Sequence, residues 1–226
     1  MDDTGFQRGQ ALLRRHLTDS PPSTFSLLGR DWDLLDGVFS PAQTPVTALF
    51  STWLPYPAGG AFLEVGSGTG VTAVTAALSG CRAVTALDVS TAAVANTRLN
   101  VARHGVEDRV RVLHSDLFSA LDPAEEFDLI YWNSNFAEAP DDFVNETDLH
   151  HAFFDPSYRT HRQFVEQAPA HLARGGRVML GFSTIGNFAL LKRFCAHAGL
   201  EPVVVRSESR QVDPATTLEF QLLELR

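Results

Sequence analysis

Lysine is nearly absent from this chain: Lys192 stands alone, and 18 Lys and Arg residues face 27 Asp and Glu, for a formal net charge of −9. Neutralising phosphates normally requires a basic face, so no nucleic-acid partner is expected. The scarcity of lysine beside abundant Arg, Ala and Gly is the composition of a GC-rich bacterial genome. Cysteine is also scarce. Cys81 and Cys195 share no metal-type spacing and make no disulfide framework, so a reducing cytoplasm is expected. No apolar run approaches the ~20 residues that span a membrane, and no membrane partner is expected. Residues 1–17 begin with acids and have no apolar core, unlike a secretory signal. What remains is a chain of 226 residues, 44% hydrophobic, which is enough for one well-buried domain.

The organising stretch is Ala61 to Gly70, AFLEVGSGTG. Phe62, Leu63 and Val65 form a short β-prone run of the kind buried inside a parallel sheet. Gly66, Gly68 and Gly70 then let the backbone turn and approach a ligand with no Cβ in the way. Val71 to Leu78 is helix-compatible, so its free amides would face that ligand. A dinucleotide fold would place its third glycine or alanine at position 71, where this chain has Val71.

The spacing E-x-G-x-G-x-G instead resembles motif I of class I S-adenosylmethionine (SAM) methyltransferases. The resemblance implies that Gly66, Ser67, Gly68 and Gly70 admit the methionine portion of SAM and that Glu64 holds its amine side. A second strand, residues 82–88, ends in Asp88, 22 positions after Gly66 and close to the ~20 expected of a ribose-binding carboxylate. Val89 shares that strand end, and Ser90 is a natural cap for a helix reaching His104. Arg109 to Leu113 alternates as a third strand. Asp116 and Leu117 beyond it match the family positions that hold adenine by a carboxylate and a backbone amide.

Phe127 to Trp132 reads as the fourth strand. It runs into Asn133-Ser134-Asn135-Phe136, which looks like the [DNS]-P-P-[YFW] signature of planar-nitrogen methyltransferases with both prolines replaced. That resemblance makes Asn133 the orienting acceptor of an N–H and a neighbour of SAM. Ser134, Asn135 and Phe136 become substrate contacts. Catalysis would then be mainly proximity and alignment. The segment Ala137 to Pro156 is long for a connection and is expected to be a lid or binding loop. His150 and His151 within it are candidates for a general base. Its acids and histidines have no firm ligand geometry, and no metal is assigned.

Residues 4–17 read as a helix with Thr4 as a cap, with Arg8, Arg14 and Arg15 on a solvated face. Ser20 to Pro22 breaks it, a hairpin follows over Thr24 to Leu35, and a helix over Pro45 to Trp53. GVFSPAQTP, residues 37–45, resembles the segment before motif I that lines the pocket in the planar-nitrogen subgroup. Residues 157–173 read as a helix closed by Arg174-Gly175-Gly176. A strand over Arg177 to Phe182, a helix over Asn187 to Ala198 and two antiparallel strands, Glu201 to Arg206 and Thr217 to Leu225, complete the order.

The resemblance covers residues 37–226. It implies an α/β fold: a Rossmann-like, seven-stranded, mostly parallel sheet flanked by helices. Residues 1–55 would be an N-terminal helical and hairpin extension over the site, and 56–226 the methyltransferase domain. Acidity and the altered proline loop point to a small-molecule acceptor, methylated at nitrogen in bacterial specialised metabolism and leaving S-adenosylhomocysteine, by a monomer or homodimer. Two alternatives stand beside it. One is a protein methyltransferase resembling the release-factor glutamine enzymes; the other is a SAM-binding protein with oxygen, carbon or no transfer.

Overall fold

The computed structural model describes residues 3–18, 22–213 and 216–226, without the side chains of Asp3, Thr4 and Asp213. The side chain of Thr4, the expected cap, and Ser20 and Pro21 of the expected break fall outside what is described. Eleven strands and six α-helices are formed by the described residues. Helix α1 (Asp3–Thr18) precedes the hairpin β1 (Thr24–Leu27) and β2 (Arg30–Asp33), and α2 (Val46–Trp53) follows a 3-10 turn at Pro41–Gln43. Then come β3 (Ala61–Val65), α3 (Val71–Leu78), β4 (Ala83–Asp88), α4 (Thr91–Arg103), β5 (Val110–His114) and β6 (Phe127–Asn133).

The long segment after β6 has structure of its own: β7 (Ala137–Ala139) and β8 (Phe154–Pro156) pair in parallel, with a 3-10 turn at Asp148–Ala152 between them. The rest is α5 (Arg159–Gln167), a 3-10 turn at Ala168–His171, β9 (Leu172–Ser183), α6 (Phe188–His197), β10 (Pro202–Asp213) and β11 (Thr216–Leu225).

Seven strands form one sheet in the order β10-β11-β9-β6-β3-β4-β5. β9, β6, β3, β4 and β5 are parallel, and β11 and β10 are antiparallel additions at one edge. Alternate residues of each inner strand feed opposite faces. Phe62, Leu129, Tyr131 and Met179 join α2, α3 and α4 in one core, while Leu63, Ile130, Trp132 and Leu180 join α5 and α6 in the other. The chain winds outward from β3 in both directions, so the strand order reverses between β3 and β6. A crevice at the carboxyl ends of the strands is expected there. No helix among the described residues is long and apolar enough to cross a membrane.

Two buried asparagines on α4 fasten the β1–β2 hairpin to this body. Asn96 Oδ1 accepts from the Leu35 amide and Asn100 Oδ1 from the Asp33 amide, each at 2.8 Å, and both side-chain amides donate to the Asp33 carbonyl at 2.8 Å. Helix α1 instead packs on β7 in a small third core with Phe6, Leu13, Phe39, Leu149, Phe153 and Phe154.

The structure departs from the expected Gly175 helix cap. Pro169 opens a 3-10 turn once α5 has stopped at Gln167, and β9 already begins at Leu172. Gly175, at φ +81°, sits in an irregularity where the pairing with β6 jumps from Leu172 to Arg177. Gly176 there lies so close to β6 that a Cβ would stand 2.7 Å from the Phe127 carbonyl oxygen. β10 also continues seven residues beyond the expected Arg206, as a ribbon with β11 whose outer part carries polar side chains.

Candidate active site

The glycine loop after β3 is held by β4 and α4. The Ser67 amide donates to the Leu87 carbonyl at 3.0 Å, and the Gly68 amide donates to Asp88 Oδ2 at 2.8 Å. Gly66 and Gly68 have φ of +68° and +55°, a region open to glycine at little cost. A Cβ on Gly68 would meet nothing within 4 Å, so this turn borders open space. Gly70 differs: it stands at the α3 N-terminus at φ +80°, where a Cβ would meet Thr97 at 2.9 Å. It shapes the loop from behind and does not line the cavity.

Glu64, the penultimate residue of β3 before that loop, is almost wholly buried. Burial pushes its carboxyl up to about 8, against bonds from the Thr72 hydroxyl and the Ala73 amide that favour the charged form. Its Oε2 has no hydrogen-bond partner. A buried carboxyl oxygen without a partner in the wall of a cavity is completed by a cation, which would draw the group into its charged form. Asp88 is also raised by burial, while the Gly68 amide and the Ser90 amide, at 2.8 and 2.9 Å, pull the other way. Each oxygen keeps a free lone pair. Val89 is exposed beside it, its carbonyl accepting from the His114 ring at 2.8 Å.

At the next strand end Asp116 is exposed and Leu117 adopts φ +46°, uncommon for leucine. The Ser115 hydroxyl donates to the Leu117 carbonyl at 2.7 Å and accepts from the Ala120 amide at 3.0 Å, which fixes this turn. Asn133 closes β6 opposite Gly181, and its Oδ1 is buried without a partner. Ser134 Oγ donates to the Gly181 carbonyl at 2.9 Å. Asn135 gives its side-chain NH2 to the carbonyls of His151 and Phe154 at 3.1 and 2.7 Å. Phe136 is half-buried against Phe182 and Phe220.

The two histidines of the lid part company. His150 Nδ1 joins Thr147 in a cap, and its ring packs towards Phe143 and Phe154 away from the cavity. His151 lines the cavity, accepts from Asn145 Nδ2 at 3.1 Å on Nδ1, and lies near enough to Asp88 to favour that carboxylate's charge. Of the expected pair, only His151 can face a ligand.

One cavity of about 780 Å³ joins these groups. Glu64, Gly66, Ser67, Gly68, Asp88, Val89, Asp116, Leu117, Asn133, Ser134, Asn135, Phe136 and His151 all line it; Gly70 and His150 do not. Three contributors were not expected. Trp132 lies below Gly66 on the α5 side of the sheet; the inward alternation of β6 could have placed it. Arg8, half-buried, and Arg15, exposed, border the cavity with Leu12 from one side of α1, while Arg14 stays on the solvated face as expected. The i, i+4, i+7 spacing of Arg8, Leu12 and Arg15 carried that signal. The tip of the β10–β11 ribbon adds Gln211, Val212 and Thr216.

A cavity with a glycine turn, an unpaired Glu and an Asp at successive parallel strand ends has the chemistry of a nucleoside bearing an amino acid. The family model described as methyltransferase small domain matches residues 33–194. The chain belongs to that family. It is a SAM-dependent methyltransferase with SAM as its methyl donor. Among solved structures, a methyltransferase from Pyrococcus furiosus has the same fold, with a TM-score of 0.62 at 18% identity over 96% of this chain and 98% of that one.

Two curated relatives of the methyltransferase bear on the acceptor. The release factor glutamine methyltransferase of Neisseria gonorrhoeae is 29% identical over 192 residues, 80% of this chain and 70% of that protein. The ribosomal protein uL3 glutamine methyltransferase of Burkholderia pseudomallei is 32% identical over 103 residues, which span 40% of this chain and only 34% of that protein. These relatives act on proteins, and that overturns the expectation of a small-molecule acceptor. The physical reason is that net acidity and a proline-free loop constrain neither the size of the acceptor nor what it is attached to.

Proposed function

We propose that this methyltransferase modifies the side-chain amide nitrogen of a glutamine presented by a protein. The observation that carries the reading is the buried, unpartnered Asn133 Oδ1 at the end of β6, in the same cavity as the glycine loop and Glu64. An amide NH2 brings the hydrogen such an oxygen lacks. An ether or thioether acceptor would leave it unpaired at a cost of ~1–3 kcal/mol. The names of the relatives support the same acceptor class.

SAM supplies an electrophilic methyl group on a sulfonium. The chain's own residues do the rest. Ionised Glu64 holds the ammonium of the methionine portion, and Gly66 and Gly68 let it lie against the backbone. Asp88 accepts from the ribose hydroxyls, Asp116 from the adenine amine, and the Leu117 amide donates to the ring. Asn133 would fix the acceptor nitrogen in line with the methyl, so that alignment carries most of the catalysis. As the N–C bond forms the S–C bond breaks and S-adenosylhomocysteine leaves, and the N-methylated amide cation, a strong acid, gives its extra proton to solvent. Helix α1 and residues 37–47, which border the cavity, serve as a cover that excludes water, while the β1–β2 hairpin packs on α4 and has no part in it.

The test is to incubate the purified protein and methyl-labelled SAM with a bacterial release factor and with ribosomal protein uL3, then map the label by tandem mass spectrometry. Label on a glutamine side chain, lost in Asn133→Ala by about 10²-fold in kcat, is the expected result. Label on lysine, on an amino terminus or on neither protein would overturn the assignment.

A further inference from the structure

The acceptor loop Asn133–Phe136 contains no proline, yet three of its residues are tied from outside. Ser134 is held by Gly181 and Asn135 by the carbonyls of His151 and Phe154. The third tie comes from Tyr158, whose hydroxyl donates to the Phe136 carbonyl. The same oxygen accepts from the Asn187 amide at 2.9 Å. Asn187 caps α6 through the Leu190 amide and donates to Glu138 of β7 at 2.7 Å.

Much of the surrounding structure serves that one hydroxyl. Tyr158 is fully buried and does not line the cavity. It sits at φ +50° directly after Ser157 at +52°, two successive non-glycine residues in a region they rarely adopt. Its ring stacks on His161 at 4.1 Å, and His161 Nδ1 is bonded to buried Asp155 at 2.7 Å. Gly186 leaves the space the hydroxyl occupies; a Cβ there would lie 2.8 Å from it.

We propose that Tyr158 is the positioning residue of the acceptor loop. By joining the Phe136 carbonyl to the start of α6, it stiffens a turn that proline would otherwise stiffen and so aims Asn133 at the acceptor. Tyr158 touches neither cofactor nor acceptor. The inference rests on the glutamine reading only where turnover is measured.

The experiment compares Tyr158→Phe with the wild-type full chain by hydrogen exchange, SAM titration and turnover on the methylated protein. Exchange at residues 133–139 and at the Asn187 amide should quicken by about tenfold while SAM affinity stays within about twofold. kcat should fall about tenfold with KM little changed, since alignment and not binding is lost. Wild-type exchange in the loop overturns the proposal, as does an unchanged kcat. If the wild type labels no protein, the glutamine reading fails while the exchange arm still decides this one. Should Tyr158→Phe fail to fold, 3-fluorotyrosine at 158 keeps ring and hydroxyl and strengthens the donor. Slower loop exchange supports the role, and no change overturns it.

Discussion

Burial makes Glu64 a proton carrier near neutrality. Its folded carboxyl titrates at about 8 against 4.5 for the free side chain. Between these values the folded state binds more protons at Glu64 than the unfolded one, so the stability this residue contributes is fully present below about 4.5 and is lost as pH rises to about 8. An ammonium group beside Oε2 needs the charged form. SAM binding at pH 7 should therefore release close to one proton, read as a dependence of the calorimetric enthalpy on the ionisation heat of the buffer. Glu64→Gln should abolish both the release and the pH slope. Asp88 offers a separate check: Asp88→Ala should weaken SAM binding about tenfold or more, ~1.4 kcal/mol by titration. An unaltered affinity would remove Asp88 from the ribose site.

Among the elements, the irregular start of β9 depends on the absence of a side chain. Gly176→Ala should destabilise the fold by about 1–3 kcal/mol in urea unfolding, because backbone of β6 stands in the way. Wild-type stability would mean the strand can slide. This is also where the sequence misled. Gly-Gly after a helical stretch suits a helix cap and a strand bulge equally well, and only Pro169 hinted that the helix had already ended. The inner strands and their ends at Glu64, Asp88, Asp116 and Asn133 were legible, because apolar runs stopped by glycine or acid admit few other structures. β7 and β8 were not, since three-residue parallel strands show no alternation. The outer half of β10 was hidden for another reason: its residues are mostly exposed and, Val212 apart, polar, so no apolar alternation marks it. His150 and His151 are neighbours on a 3-10 turn, so their side chains diverge by about 120°; the sequence named the pair but could not say which one faces inward.

For the molecule as a whole, SAM should act as a clamp across the carboxyl ends of β3, β4, β5 and β6. At 100 times its dissociation constant it should add about 2.7 kcal/mol to stability, raising the thermal midpoint by roughly 5–10 °C. In Asp88→Ala at the same concentration the rise should shrink, and an equal rise in both would place the cofactor elsewhere. The third core bears on how such a molecule comes to be made. Helix α1 finds its apolar partners in β7, Leu149, Phe153 and Phe154, well over a hundred residues further along. During synthesis, at ~5–20 residues per second, that helix waits many seconds with an uncovered greasy side. Helix α1 can therefore close over the site only after the centre of the sheet exists, so the cover is among the last parts of the fold to dock.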